Sequence, residues 1–329
     1  MTELKILNAD DIRVFSGNSN NALASEIANC LGVPLSDTKI ERFTNDNLYV
    51  QLGQSVRSRN VFIIQSLTPP VSDHLMELLM MLDIARSASA KQVHAIIPYY
   101  SFARSDKKDE PRISITGRLV ADLLSTAGAT HVMTMMLHSP QVHGFFSVPT
   151  DPLTSRPVFQ EFFARQDLSD TIVVAPDIGA AKSAARFARD LGGLPVAAGN
   201  KERISDTQVV ISGIIGSQLH GCTRALIYDD EIATGGSMLE LARLLVQEGI
   251  QQIQIVCTHG LFTNNALEKL GAVPEITGII CTNTVYHPPT MQHPKLHVVS
   301  VGHVFADAIR KNHLGESIGE LFVYGHGAN

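Results

Sequence analysis

Short apolar runs alternate along this chain with stretches in which apolar residues recur every three or four positions. The runs of strand length are 12–16, 61–65, 93–98, 131–137, 172–175, 225–228, 253–258, 279–283 and 296–301. Helical spacing covers 21–31, 74–88, 116–126, 180–191 and 304–312, and a further face formed by Met238, Leu241, Leu244 and Leu245. Such alternation predicts an α/β fold of mainly parallel sheets flanked by helices.

The pattern repeats. VFSGNSNNALASEIANCLG (14–32) and VAPDIGAAKSAARFARDLG (174–192) both read as strand, turn and helix ending in Leu-Gly, and 66–98 parallels 229–260 in layout. Two similar α/β domains are therefore expected, 1–150 and 151–329, divided near Pro149 and Pro152, with the last helix expected to pack back on the first domain. Only the second copy carries a glycine turn at the matching point; the first has Thr68-Pro69-Pro70. One domain should hold a phosphate and the other a second ligand.

That glycine turn carries the sharpest chemistry. The run 225–228 is expected to stop at Asp229-Asp230, and Ala233-Thr234-Gly235-Gly236-Ser237 then leads into a helix. Glycines let backbone N–H groups approach a phosphate at a helix N-terminus, while Thr234 and Ser237 add hydroxyl donors. Two carboxylates just before such a cradle suit hydroxyls or Mg²⁺ beside the phosphate, as in a sugar phosphate. Asp177 follows another strand and also precedes a glycine turn. Residues 98–114, PYYSFARSDKKDEPRIS, place Arg104, Asp106, Lys107, Lys108, Asp109 and Arg112 after a strand, which suits a polyphosphate or a solvated loop. His138 ends an apolar run and reads as a ligand or a packing residue. Lys201 and Arg203, at i and i+2, share one side of an extended strand or loop over 199–208.

Composition narrows the class. The chain has 329 residues, 44% hydrophobic and 18% charged, with a net charge of −6 from 26 basic and 32 acidic side chains. No long basic run points to nucleic acid, and no apolar stretch reaches membrane length. The start, MTELKILNADD, has no basic region followed by an apolar one, so a cytoplasmic protein is expected. Cys30, Cys222, Cys257 and Cys281 lack metal-like spacing and read as buried thiols in a reducing compartment.

With these segments placed, the chain resembles the class I PRPP synthetases (ribose-phosphate pyrophosphokinases) along nearly its whole length. The motifs PYYSFARSDKKD, LHSPQVHGFF, APDIGAAK, NKER and DDEIATGGS occur in that order. The resemblance implies two domains of the type I phosphoribosyltransferase kind. It also implies transfer of the β,γ-diphosphoryl group of MgATP to the 1-hydroxyl of ribose 5-phosphate, releasing AMP. By position, Asp177, Asp229, Asp230 and 233–237 would hold ribose 5-phosphate. His138 and Asp177 would serve Mg²⁺. Phe43, Asn45, Asn47, Arg104, Ser105 and Asp109 would bind ATP, and Lys201 and Arg203 would stabilise the transferring group.

Departures fall mainly on the nucleotide side. Asn47 replaces a usual Glu, Met136 a usual Asp, Ser105 a usual Gln, and Ala233 a usual Asp in the cradle. The resemblance further implies a homo-oligomer, hexamer or dimer, with inorganic phosphate and ADP as regulators through Ser55, Arg57 and Ser317. Two other readings stay open: a non-catalytic partner of a synthetase, and a phosphoribosyltransferase that consumes PRPP.

Overall fold

The computed structural model describes residues 10–203, 209–216, 219 and 221–322. The chain divides into two compact units, one of 1–154 with 284–286 and 300–329, the other of 155–283 with 287–299.

In the first unit, β1 (Ile12–Ser16) runs into α1 (Asn21–Leu31), whose N-terminus is capped by the Asn20 side chain accepting from the Leu23 N–H at 3.1 Å. Then come β2 (Leu35–Ser36), β3 (Thr38–Arg42), β4 (Leu48–Leu52) and β5 (Asn60–Ile64). They are followed by α2 (Val71–Ser87), β6 (Gln92–Ile97), α3 (Thr116–Ala127), β7 (His131–Met135) and β8 (Thr150–Leu153). The sheet order is β2-β1-β5-β6-β7-β8, all parallel, and β3 and β4 form a separate antiparallel hairpin. Alternate residues explain the two covered faces. Val61, Ile63, Val93, Ala95 and Val132 join Leu78, Leu82 and Leu124 in one core, on the side of α2 and α3.

The second unit opens with α4 (Arg156–Phe163), β9 (Thr171–Ala175), α5 (Ala181–Asp190), β10 (Val196–Arg203) and β11 (Val209–Gly216). It continues through β12 (Arg224–Ile232), α6 (Gly236–Gln247), β13 (Gln252–Gly260), α7 (Ala266–Gly271), β14 (Ile276–Thr282) and β15 (Leu296–Val299). The sheet order is β11-β10-β9-β12-β13-β14-β15, with only β11 antiparallel. Ile227, Leu241, Leu245, Ile255, Leu270 and Ile279 are fully buried in its core.

The last helix, α8 (Gly302–Leu314), belongs to the first unit and lies along α1. Ser300 donates to Glu26 of α1, and Asn60 lies 2.9 Å from His313. On this side of the sheet, cross-strand neighbours His94 and His131 approach through their Nδ1 atoms at 3.1 Å. His131 Nε2 lies 2.8 Å from the Asp151 carboxylate, and the His94 ring stacks on Phe62 with centroids 4.3 Å apart.

Several boundaries differ from the sequence reading. The run 131–137 ends as a strand at Met135, because Met136 turns into the left-handed region (φ 43°). The run 225–228 does not stop at the acidic pair, since β12 stays paired with β13 through Ile232. Pro149 and Pro152 lie in and beside β8, whose only sheet neighbour in the order is β7, an edge that tolerates proline. Of the cysteines, only Cys257 and Cys281 are buried; Cys30 is exposed on α1 and Cys222 is partly so. The expectation of four buried thiols is corrected because Cys30 falls on the outward side of an amphipathic helix.

Candidate active site

In each sheet the strand order reverses at one point, between β1 and β5 in the first unit and between β9 and β12 in the second. Open α/β sheets bind ligands beyond the strand C-termini at such a reversal. In the second unit the two strands deliver Asp177, two residues past β9, and Asp229-Asp230, near the end of β12. Tyr228 anchors the pair. It is wholly buried and stacked on Phe187 with centroids 4.3 Å apart. The turn after β12 then places Gly235 at φ 74°, where a side chain would be strained and would press on Leu270 and Ala266 of α7 at 3.2 and 3.3 Å. α6 starts at Gly236 with no side-chain cap and no acidic residue in its first turn. Its free N-terminal N–H groups and dipole therefore favour an anion.

The carboxylates crowd one another. Asp230 N–H donates to Asp229 Oδ1 at 2.9 Å, and Asp177 Oδ1 accepts from Ala180 N–H at 3.1 Å. Burial first, then the negative charges of Asp230 and Asp177, hold the Asp229 carboxyl well above the usual carboxylate range. A cation or a set of hydroxyl donors would relieve that repulsion. Hard carboxylate oxygens suit Mg²⁺, which keeps several waters and uses one or two protein carboxylates with substrate phosphates. Among the described residues no three His, Cys, Asp or Glu side chains are grouped to hold a metal ion by themselves.

The residues expected on the nucleotide side belong to the first unit. Arg104 ends a short 3-10 turn, Ser101–Arg104, after β6. Ser105 is not simply a side chain offered to a ligand: its Oγ accepts from the Thr116 N–H at 3.2 Å and donates to the Ser114 carbonyl at 3.1 Å. Asp109 is exposed and lies 3.4 Å from Lys107. His138 is exposed, three residues past β7. Phe43, Asn45 and Asn47 sit on the tip between β3 and β4, with Phe43 52% exposed. That tip is closed by Phe43 N–H to Asn47 O at 2.9 Å and tied to α2 by Arg42 and Asp73 at 2.9 Å.

Asp177, Asp229 and Asp230 are thus brought together within one unit beside 233–237. Arg104, Ser105, Asp109 and His138 lie on loops following adjacent strands β6 and β7, and the hairpin residues lie apart on their own ribbon. Lys201 and Arg203 lie at the end of β10 opposite Ile211 and Val209 of β11; their side chains lie outside the described residues, as does the whole of 204–208. Ser55, Arg57 and Ser317 are exposed. One contact had no counterpart in the sequence reading: Ser139 donates to the Asp106 carboxylate. Ser139 precedes Pro140 at the start of a 3-10 turn, a pattern that signals a local cap, yet its hydroxyl leaves the turn for the neighbouring loop.

Comparison with known proteins follows the same lines. The N-terminal domain of ribose phosphate pyrophosphokinase matches residues 12–128, and the phosphoribosyl synthetase-associated domain matches residues 209–323. A Streptomyces coelicolor relative is 51% identical over 95% of this chain and 98% of its own. The ribose-phosphate pyrophosphokinase of Deinococcus radiodurans is 47% identical over 94% of this chain and 97% of its own. The crystal structure of phosphoribosylpyrophosphate synthetase from Mycobacterium smegmatis superposes with a TM-score of 0.86 at 32% identity, covering 93% of this chain and 99% of that one.

Proposed function

The chain belongs to the ribose-phosphate pyrophosphokinase family and makes PRPP, and we propose that Asp177, Asp229, Asp230 and the 233–237 turn form its ribose 5-phosphate site. The observation that carries this reading is the meeting of three repelling carboxylates with an uncapped helix N-terminus at the strand-order reversal. The 5-phosphate rests on the N–H groups and hydroxyls of 234–237. The carboxylates accept from the ribose hydroxyls and orient the anomeric one.

The 1-hydroxyl oxygen of ribose 5-phosphate bonds to the β-phosphorus of ATP as the bond from that phosphorus to the α,β-bridging oxygen breaks. AMP leaves with the bridging oxygen, and the hydroxyl proton is lost to solvent. Asp177, Asp229 and Asp230, and His138 on the nucleotide side, would hold Mg²⁺, which would supply neutralisation of phosphate charge when bound. Arg104, Ser105 and Asp109 frame the polyphosphate, and Phe43, Asn45 and Asn47 take the adenine. Lys201 and Arg203 counter the charge that grows on the transferring group. In-line phosphoryl chemistry asks for such positioning and neutralisation rather than a covalent step. A cytoplasmic homo-oligomer, hexamer or dimer, with phosphate and ADP as effectors at Ser55, Arg57 and Ser317, completes the reading.

The test is AMP formation from MgATP with and without ribose 5-phosphate, with phosphate present and GTP and CTP run alongside. Ribose 5-phosphate-dependent AMP with PRPP as co-product is expected, and Lys201→Ala should lower kcat at least about 10²-fold. Near-normal turnover in that variant removes Lys201 from the mechanism. No nucleoside monophosphate with any donor returns the chain to the non-catalytic reading.

A further inference from the structure

The loop 106–113 carries three basic side chains, Lys107, Lys108 and Arg112, and three acidic ones, Asp106, Asp109 and Glu110, and leaves from a hydrogen-bonded neck. Ser105 N–H donates to Phe102 O at 3.0 Å, Gly117 N–H to Ser105 O at 3.0 Å, and Thr116 N–H to Ser105 Oγ at 3.2 Å. The Tyr100 hydroxyl, buried beneath the neck, donates to Gly117 O at 2.9 Å. A Cβ at Gly117 would stand 3.0 Å from Phe102 O and 3.2 Å from Ser105 O, so the start of α3 is seated directly on this turn. The loop's first residue beyond the neck is Asp106, and its carboxylate accepts the hydroxyl proton of Ser139, the residue after His138. A loop fixed at its neck has one main remaining freedom, its swing, and the Asp106–Ser139 contact sets that swing relative to the β7 loop.

We propose that Asp106 and Ser139 form a latch that positions the 106–113 loop, and with it the adjoining Lys107 and Lys108, at a set distance from His138, so that these lysines and the histidine engage one ATP polyphosphate. The inference rests on the nucleotide placement given above. Neither residue touches the reacting atoms; both act through the loop. Breaking the latch leaves the loop's ordering to the nucleotide, which weakens ATP binding more than turnover. The ribose 5-phosphate site, on the other unit, is untouched.

Steady-state kinetics on the full-length enzyme test this. Ser139→Ala should raise KM for ATP about tenfold, the weight of one hydrogen bond to a charged acceptor. Its kcat and its KM for ribose 5-phosphate should stay within about twofold of the parent, the margin of an untouched site. Ser139→Thr keeps the hydroxyl and should restore KM for ATP. Asp106→Ala combined with Ser139→Ala should be no worse than Asp106→Ala alone, since both remove one contact. An unchanged KM for ATP in Ser139→Ala, a parallel rise in both KM values, multiplying effects in the double variant, or no rescue by threonine each overturns the latch. His138→Ala separates the two failures. If it leaves KM for ATP unaltered, the nucleotide placement falls and the latch with it; if it raises KM while Ser139→Ala does not, the latch alone falls.

Discussion

The two strand-order reversals occupy corresponding places in their sheets and have been finished in opposite ways. Beyond β1 and β5 the crevice is filled. Gln65 accepts from the Ser19 N–H at 3.1 Å and hydroxyl at 2.7 Å and donates to Glu77 at 2.6 Å. Glu77, though buried, accepts twice more from Asn18, at 3.0 and 2.9 Å. The helix that follows, α2, carries Asp73 in its first turn. Beyond β9 and β12, Asp229 is crowded by the charges of Asp230 and Asp177, which with burial hold its carboxyl up, and α6 begins without a side-chain cap. A buried carboxylate with matched donors is a structural part; carboxylates arranged against one another are poised for something that arrives later. Both crevices are polar. What separates them is that one holds a carboxylate with matched donors and the other holds carboxylates against one another.

The strongest way to break that contrast is to neutralise the open site. With its ionised form disfavoured by the fold, Asp229 has a folded pKa above its unfolded one. The native state thus holds the proton longer, and stability falls as pH rises through the folded value. Asp229→Asn removes this penalty. Without divalent cation, its melting temperature should exceed the parent's, with the gap widening as pH rises, while PRPP synthesis drops at least about 10²-fold. An unaltered or lower melting temperature across the pH range would mean that the site's partners are already in place.

Two glycines sharpen the comparison at a smaller scale. A Cβ on Gly17 would lie 2.4 Å from Gln65 Oε1, inside the filled crevice. Gly17→Ala should displace Gln65 and destabilise the protein by about 2 kcal/mol, leaving both KM values alone. A Cβ on Gly236 meets nothing closer than Thr234 Oγ1 at 4.0 Å. Gly236→Ala should keep the parent melting temperature, yet raise KM for ribose 5-phosphate about tenfold, a loss of about 1.4 kcal/mol of phosphate contact. The same substitution then separates a structural turn from a binding one. If Gly236→Ala melts lower and Gly17→Ala binds less well, the assignment of the crevices is reversed.

How far the chain reveals this depends on where the information lies. DDEIATGGS is contiguous, so its strand, turn and helix and its chemistry can be read together. The Gln65–Glu77–Asn18 network is not: Asn18 and Glu77 stand 59 positions apart, and each alone looks like a surface residue. The β3–β4 hairpin escapes hydrophobic patterning because TKIER is largely exposed, and α4 because eight residues give too little period. Ser105 illustrates a different limit. A polar residue in a ligand loop is expected to face the ligand, whereas here its hydroxyl closes the loop's own backbone. Local chemistry is visible in sequence; which groups satisfy one another is decided by packing.

The smallest expected effect comes from a polar cluster at the other end of the first sheet from its crevice. Burial chiefly, with help from His131 and His313, pushes His94 down to about 3 from an ordinary 6.5. The groups around it are His131 with Asp151, and His313, which senses Asp11 and Lys91 and is also lowered by burial. Below 6.5 an unfolded chain takes up a proton that native His94 refuses, so stability is full above that pH and is lost as pH falls towards 3. Between pH 7.5 and 5.5 the loss from His94 is about 1.4 kcal/mol. His94→Phe stays neutral in both states, and the stacking on Phe62 can be kept. Its denaturant midpoint should fall less steeply with acid than the parent's, by that amount, with kcat unaffected at pH 7.5. Parallel pH curves would show that native His94 takes up its proton as the unfolded chain does, and that burial does not hold it neutral.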